Sequence, residues 1–196
     1  MSTAVITGRI AEASPSFKAR VVGVLYLLSV GTAVAGESFV HGGLAIAAGL
    51  IAVAGMLAVT LLFYDIVRPA NQNLAWFAAS FSLAGLTLEA LRWNPQGVDI
   101  ALVLHGLYCV LIGYLVFRSA FLPRLLGAMM AFGGLGWLTF LSPPLENFLS
   151  PYHQACGFIG EASVMLWLLV FGVSVRRGKE QASAAKNWRS QHAVHP

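Results

Sequence analysis

The chain has 196 residues, of which 58% are hydrophobic and only 10% charged, with a net charge of +4. A mean hydropathy of +0.75 exceeds what the core of a water-soluble domain requires and indicates an integral membrane protein. We expect membrane lipid to be its partner and no nucleic acid. The positive charge fits helix orientation and attraction to anionic lipid.

A helix needs about 20 predominantly apolar residues to cross a bilayer. The sequence predicts an all-α fold, with six transmembrane helices in one bundle. These spans cover roughly residues 20–40, 44–66, 73–92, 98–117, 124–142 and 155–175. The first begins late and runs too long for a cleaved secretory signal. Short loops between the spans make successive helices antiparallel neighbours.

The predicted transmembrane domain covers residues 18–175. A loose arm (1–17) precedes it, and a basic tail (176–196) with a composition typical of disorder follows. With both tails on one side, that side collects 11 of the 12 basic residues: Arg9, Lys18, Arg20, Arg68, Arg118, Arg124, Arg176, Arg177, Lys179, Lys186 and Arg189. Only Arg92 lies on the other side. The positive-inside rule therefore predicts cytoplasmic termini in a multi-pass protein of the inner (cytoplasmic) membrane.

Four ionisable residues lie in the outer ends of four separate spans: Glu37, Glu89, His105 and Glu161. At about 1.5 Å per residue, His105 and Glu161 lie roughly 10 Å below the outer boundary and the other two roughly 5 Å. Such groups are costly in hydrocarbon and usually face the bundle interior. We therefore expect one shared pocket with these four as catalytic candidates.

The surroundings of the acids suggest different roles in acid–base chemistry. Glu161 is flanked by Gly160, Ala162 and apolar residues, and such surroundings favour the protonated acid unless it is paired. Glu89 has Arg92 three residues on, which can hold it ionised. One carboxyl group kept protonated and another kept ionised are typical of an acid and a base. Glu161 would be the acid, Glu89 or Glu37 the base or the carboxylate that stabilises a cation, and His105 a proton relay or a group that orients one of them.

Residues that could line the pocket and bind a substrate share a polar or aromatic tip. They are Arg92, Tyr108, Trp93, Trp137, Ser82 and Tyr26. Ser82 belongs to a small, polar face of the third span, while Trp93 and Trp137 fit anchors at the membrane surface equally well. The segment from 142 to 154 fits either a lid over the outer mouth or an ordinary interfacial loop.

Simpler structural roles account for the same residues. Glu89 and Arg92 fit an ion pair near the headgroups, Glu37 fits a helix exit, and a Glu161–His105 hydrogen bond could simply tie two helices together.

A metal site is a further alternative. His105 and Cys109 lie four apart on one helical face. Glu37 and His41 are also four apart, and His105, Glu161 and Glu89 add nitrogen and oxygen donors of the kind that zinc accepts. Small core thiols are far commoner than ligands, however, and the chain has no tight ligand motif. We therefore predict no metal and no cofactor.

One segment carries a resemblance to a known family. Residues 113–127 read GYLVFRSAFLPRLLG, and the run GVLYLL (23–28) opens the chain's apolar part, while GEA (160–162) and LWLL (166–169) close it. These stretches resemble a prokaryotic family of six-span membrane proteins that is catalogued as a domain of unknown function. The resemblance spans about residues 18–175 and implies the six-span fold. It marks Glu161, Arg118 and Arg124 as part of the family's pattern and implies no activity. At residue 120 this chain has alanine where the family often has glycine.

Two functions remain open at this stage. One is an intramembrane acid–base enzyme of the cyclase or isomerase type, acting on a lipid-like or isoprenoid substrate as terpenoid cyclases do. The other is a transporter or sensor of an apolar ligand, or an assembly partner of another membrane protein. The small size and the lack of an internal repeat speak against a lone transporter, although a homo-oligomer would remove the size objection.

Overall fold

The computed structural model describes residues 15–39, 41–93, 98–119 and 122–173, and this part of the chain contains no strand. The all-α prediction is confirmed. The helices are α1 (Pro15–Ser38), α2 (Gly43–Val67), α3 (Gln72–Ala90), α4 (Ile100–Arg118), α5 (Arg124–Leu138), a 3-10 turn (Thr139–Leu141), the short α6 (Pro143–Leu149) and α7 (Tyr152–Val170).

Five of these helical segments are long and apolar enough to cross a membrane: Ser16–Gly36, Gly43–Val67, Ile100–Arg118, Arg124–Leu141 and Tyr152–Val170. By length and composition the chain is therefore a membrane protein with several apolar helices. Helix α3 has 19 residues but is not among the five. Its sequence mixes Gln72, Asn73, Ser80, Ser82 and Glu89 with its apolar residues, which lowers its hydropathy.

Some predicted boundaries shift. The segment expected as a loop between 142 and 154 follows the 3-10 turn and contains α6, which begins at Pro143. Proline suits the first position of a helix because the N–H that it lacks would have no partner within the helix there. The last span begins at Tyr152 rather than 155 and ends at Val170. Helix α1 already includes residues 15–17 of the expected arm. The rest of that arm and the basic tail lie outside the described residues.

Glycine allows α4, α5 and α7 to pack with their backbones in close contact. A Cβ on Gly113 would lie 2.5 Å from the Ala131 nitrogen, and one on Gly160 would lie 2.5 Å from the Met129 oxygen. Gly106 and Gly134 face each other in the same way. Because lipid gives helices no hydrophobic drive to associate, such small residues supply the van der Waals contact that holds them together. Helix α5 therefore lies between α4 and α7.

The two ends of the bundle differ in charge. At one end, Lys18 of α1 lies 3.3 Å from Asp65 of α2, and the Ser16 hydroxyl donates to the Val173 carbonyl beyond α7. Arg68 also contacts Asp65, at 3.4 Å. Because α5 runs antiparallel to both α4 and α7, the end of α4 and the start of α5 lie here too. We call this the basic end and the other the opposite end.

Candidate functional site

The carboxyl group of Glu161 is the point at which four helices meet. This side chain lies on α7 and is only 3% exposed. Tyr26 of α1, His105 and Cys109 of α4, and Trp137 of α5 all direct a polar atom at it. We call these five residues the Glu161 cluster. Tyr26, Cys109 and Trp137 belong to the buried hydrophobic core of the bundle, so the cluster is a polar centre inside it.

Both oxygens of the carboxyl group have partners. The Tyr26 hydroxyl donates to Oε2 at 2.7 Å, and the indole N–H of Trp137 donates to Oε1. His105 Nε2 lies 3.0 Å from the same Oε1, which allows a hydrogen bond or, with a protonated ring, an ion pair. The Cys109 Sγ lies 3.7 Å from Oε1 and 3.6 Å from His105 Nε2. A buried acid with this many donors is held in a single orientation.

Local sequence explains how each group reaches the centre. His105 and Cys109 are four residues apart, so both side chains lie on one face of α4. A Cβ on Gly106 would lie 3.0 Å from the Trp137 Cβ, and Gly157 lies directly against the Trp137 indole, where any Cβ would clash. The two glycines thus leave room for the indole ring, whose N–H then points at Glu161.

Tyr108 and Ser82, two predicted substrate-binding residues, lie beside the cluster. The ring of Tyr108 lies 5.8 Å from that of His105. The Tyr108 hydroxyl is buried and has no hydrogen-bond partner among the described residues, although Thr60 is one of its polar neighbours. Thr60 itself pairs with Ser82 at 2.7 Å between their hydroxyl oxygens. These hydroxyls form a short polar extension of the cluster towards α2 and α3.

A second feature lies at the opposite end, where a cavity of about 800 Å³ opens between α1, α2, α3 and the start of α4. Its lining includes Glu89, Arg92 and Trp93, together with His41 and Asp99. We call this the end cavity. Its described lining residues include no member of the Glu161 cluster.

The described contacts do not join the expected residues in one pocket, because Glu89, Arg92 and Trp93 line the end cavity, whose described lining does not include Glu161. Helix α3 packs mainly on α2 and α4, and none of the hydrogen bonds described for Glu161 comes from it. Glu89 is exposed, and Arg92 has a left-handed backbone (φ 51°) just beyond the end of α3. The side chain of Glu37 lies outside the described residues.

The sequence places His153 in the segment expected as a loop between 142 and 154, and not among the candidate site residues. His153 lies on the first turn of α7, is 4% exposed, and packs edge-on against Phe140 at 5.0 Å. Within the described part of the chain neither of its ring nitrogens has a hydrogen-bond partner. No local signal marks it, because only the earlier start of α7 turns a loop residue into a core residue.

Two comparisons relate this chain to other proteins. A family model described as a domain of unknown function (DUF4386) matches residues 84–172, a range that includes His105, Trp137 and Glu161. An uncharacterized protein of Archaeoglobus fulgidus is 27% identical over 125 residues, which cover 58% of this chain and 75% of that protein. No solved structure matches the chain.

Proposed function

We propose that this protein is an intramembrane enzyme that rearranges a hydrophobic, lipid-like or isoprenoid molecule by acid–base chemistry. The observation that carries the proposal is the convergence of Tyr26, His105 and Trp137 on one buried carboxyl group. Burying an acid in an apolar bundle costs several kcal/mol, and a purely structural link between helices needs far less. An arrangement this costly is typical of a functional centre.

The reaction that fits is a double-bond shift or a cyclisation. A proton passes from the Glu161–His105 pair to one carbon of a carbon–carbon double bond, leaving a carbocation on the other carbon. Loss of a proton from a neighbouring carbon back to the pair restores a double bond, so no further reactant is consumed. Tyr26 and Trp137 hold the carboxyl group in place.

His105 takes the role of base in this proposal. The sequence offered Glu89 or Glu37 for that role, but Glu89 lines the end cavity, whereas His105 Nε2 lies 3.0 Å from Glu161. A proton can pass directly between groups at this distance. His105 is also the more accessible of the two, with 19% of its side chain exposed against 5% for Glu161. A substrate would therefore approach from the His105 side.

We further propose that α3 is a sixth membrane span. Its 19 residues cover roughly 28 Å, close to the thickness of the hydrocarbon layer. Six spans put both termini on one side, and the basic end, which holds Lys18, Arg68 and Arg124, is then cytoplasmic by the positive-inside rule. We therefore propose the inner membrane of a prokaryotic cell as its location, with the end cavity facing outwards.

The end cavity favours a second candidate function, the binding of an apolar ligand for sensing or transport. Its lining joins aliphatic residues such as Ile46 and Leu50 with the charged Glu89 and Arg92, as an amphiphilic ligand requires. Transport is the weaker form of this alternative, because the described ionisable side chains do not form a continuous path to the basic end.

A single comparison of variants separates the two functions. The full chain, its Glu161→Gln variant and its Glu89→Gln variant are reconstituted in nanodiscs and incubated with a panel of isoprenoid and unsaturated lipids, and products are identified by mass spectrometry. The enzyme proposal expects loss of product with Glu161→Gln and retention with Glu89→Gln, while both variants keep any co-purified lipid. Unchanged product formation in Glu161→Gln would overturn it. Ligand loss in Glu89→Gln alone would support the binding function.

A further inference from the structure

We propose that His105, Cys109 and Glu161 form a binding site for one divalent transition-metal ion of the zinc class. The proposal goes beyond the acid–base function and stands without it, because a metal ion could serve a structural or sensing role equally well. It departs from the sequence-based expectation, which predicted no metal because small core thiols are far commoner than ligands and the chain has no tight ligand motif.

The donor set is chemically suited to zinc. A histidine nitrogen, a cysteine sulfur and a glutamate oxygen are the three ligand types that Zn²⁺ accepts in proteins. One atom from each of these residues lies within 4.8 Å of the other two. Three protein ligands leave the fourth tetrahedral position open, as in catalytic zinc sites.

The distances between the donors agree with a tetrahedral ion. Zinc lies about 2.3 Å from sulfur and about 2.0–2.2 Å from nitrogen and oxygen, so tetrahedral angles separate S from N and S from O by roughly 3.6 Å, and N from O by roughly 3.4 Å. The corresponding separations here are 3.6 Å for Sγ–Nε2, 3.7 Å for Sγ–Oε1 and 3.0 Å for Nε2–Oε1. The three atoms need to move by only a few tenths of an ångström to hold the ion.

Charge balance favours the same conclusion. A divalent cation bound by a thiolate, a carboxylate and a neutral imidazole has a net charge of zero. In an apolar bundle, where each uncompensated charge costs several kcal/mol, a neutral centre is much less costly than a charged one. The ion would thus bring the cluster to neutrality without help from Arg92 or any other distant cation.

The remaining members of the cluster are placed as outer partners of such a site. Ligating carboxylates are normally fixed by further hydrogen bonds, and Tyr26 and Trp137 supply them to Oε2 and Oε1.

Metal binding would change which group donates and accepts the proton in the proposed reaction. With the three donors occupied, a water molecule bound to the ion would supply and accept the proton, since a bound divalent metal makes water a much stronger acid. In the metal-free protein, the Glu161–His105 pair would do so. The two proposals therefore differ in their dependence on metal and are tested separately.

The test compares the full-length protein in nanodiscs with Cys109→Ser and with Cys156→Ser as the matched control. Cys156 is the chain's other cysteine and is not part of the cluster. Titration with Zn²⁺ should show one ion per chain in the wild type and in Cys156→Ser, and binding weaker by roughly tenfold or more in Cys109→Ser. Binding of Co²⁺ should add a thiolate-to-metal charge-transfer band that Cys109→Ser lacks.

A second measurement on the wild-type protein avoids any folding defect of the variants. Zn²⁺ should raise the temperature at which the wild-type protein unfolds, and a chelator should reverse this gain. No Zn²⁺ bound by the wild type, or a wild-type Co²⁺ complex without the thiolate band, would overturn the metal site. If Zn²⁺ binds and product formation is the same with and without it, the metal proposal stands, and the metal-free pair carries the reaction.

Discussion

The two acids Glu161 and Glu89 differ in burial and in hydrogen bonding, although they lie in the same helical bundle. Glu161 is 3% exposed and accepts hydrogen bonds from two other helices, with a histidine of a third beside it. Glu89 is exposed in the last turn of α3 and lines an open cavity. Solvent or headgroups can stabilise the second acid, whereas only protein groups can stabilise the first.

The Glu161 cluster has a fixed geometry, and the end cavity does not depend on one. The Glu161 cluster depends on glycine-packed helices that hold its donors in position, so small changes there should have large effects. The end cavity is bordered by exposed side chains such as Glu89 and Arg92. Changes there should affect ligand binding and leave folding almost untouched. The following predictions test this contrast, from the largest expected effect to the smallest.

Replacing Glu161 with alanine should give the largest loss of stability. It leaves the Tyr26 hydroxyl, the Trp137 N–H and His105 without their acceptor. Each buried polar group that loses its hydrogen bond lowers the free energy of unfolding by about 1 kcal/mol or more. We expect a loss of about 3 kcal/mol in the free energy of unfolding, measured by thermal or denaturant unfolding in detergent. Glu89→Ala is the control and should change the stability by about 0.5 kcal/mol or less. Equal effects of the two changes would contradict the contrast.

Replacing Gly113 with alanine should separate α4 from α5. The new Cβ would lie 2.5 Å from the Ala131 nitrogen and 2.7 Å from the Gly127 oxygen, both backbone atoms that cannot move aside. We expect a loss of about 2 kcal/mol in stability. In Gly31→Ala, the matched control in α1, the Cβ meets nothing within 4 Å, so the protein should be unchanged or slightly stabilised. A stable Gly113→Ala protein would mean that the helices pack less closely than described.

Sequence patterns predicted the helices and part of the cluster, and the reasons for the failures are physical. Apolar runs determine helix positions directly, which is why four of the predicted spans start within two residues of the observed helices. Glu161 and His105 were identifiable because an ionisable residue deep in a span is rare. Trp137 was ambiguous, since a tryptophan near a helix end suits the membrane surface as well as a cavity wall.

The expectation that Glu89 and Glu161 share one pocket and the prediction of no metal have one cause. Depth along each helix can be counted from the sequence, but rotation about the helix axis and the choice of neighbours cannot. Glu89 has a suitable depth on a helix that packs mainly on α2 and α4. Cys109 completes a three-donor set only because α4 and α7 face each other across α5, and no local spacing in the sequence reports that.

Removing one hydroxyl from each of two tyrosines gives a sharper test of the cluster. The Tyr26 hydroxyl donates to Glu161, whereas that of Tyr108 has no hydrogen-bond partner among the described residues. Tyr26→Phe should cost about 1 kcal/mol of stability, and Tyr108→Phe should cost nothing or stabilise the metal-free protein. Unfolding of both variants in the presence of a chelator measures the difference. Equal losses would show that the two hydroxyls are equally well bonded.

The smallest effect is expected at the basic end. Lys18 lies 3.3 Å from Asp65, but Asp65 is a third exposed and also contacts Arg68 at 3.4 Å, so a second cation remains when the lysine is removed. Lys18→Met keeps most of the apolar length of the side chain and should cost about 0.5 kcal/mol. Raising the salt concentration should shrink that difference, because exposed ion pairs are screened. A loss approaching that of Glu161→Ala would mean that this ion pair, rather than the Glu161 cluster, is the main polar support of the bundle.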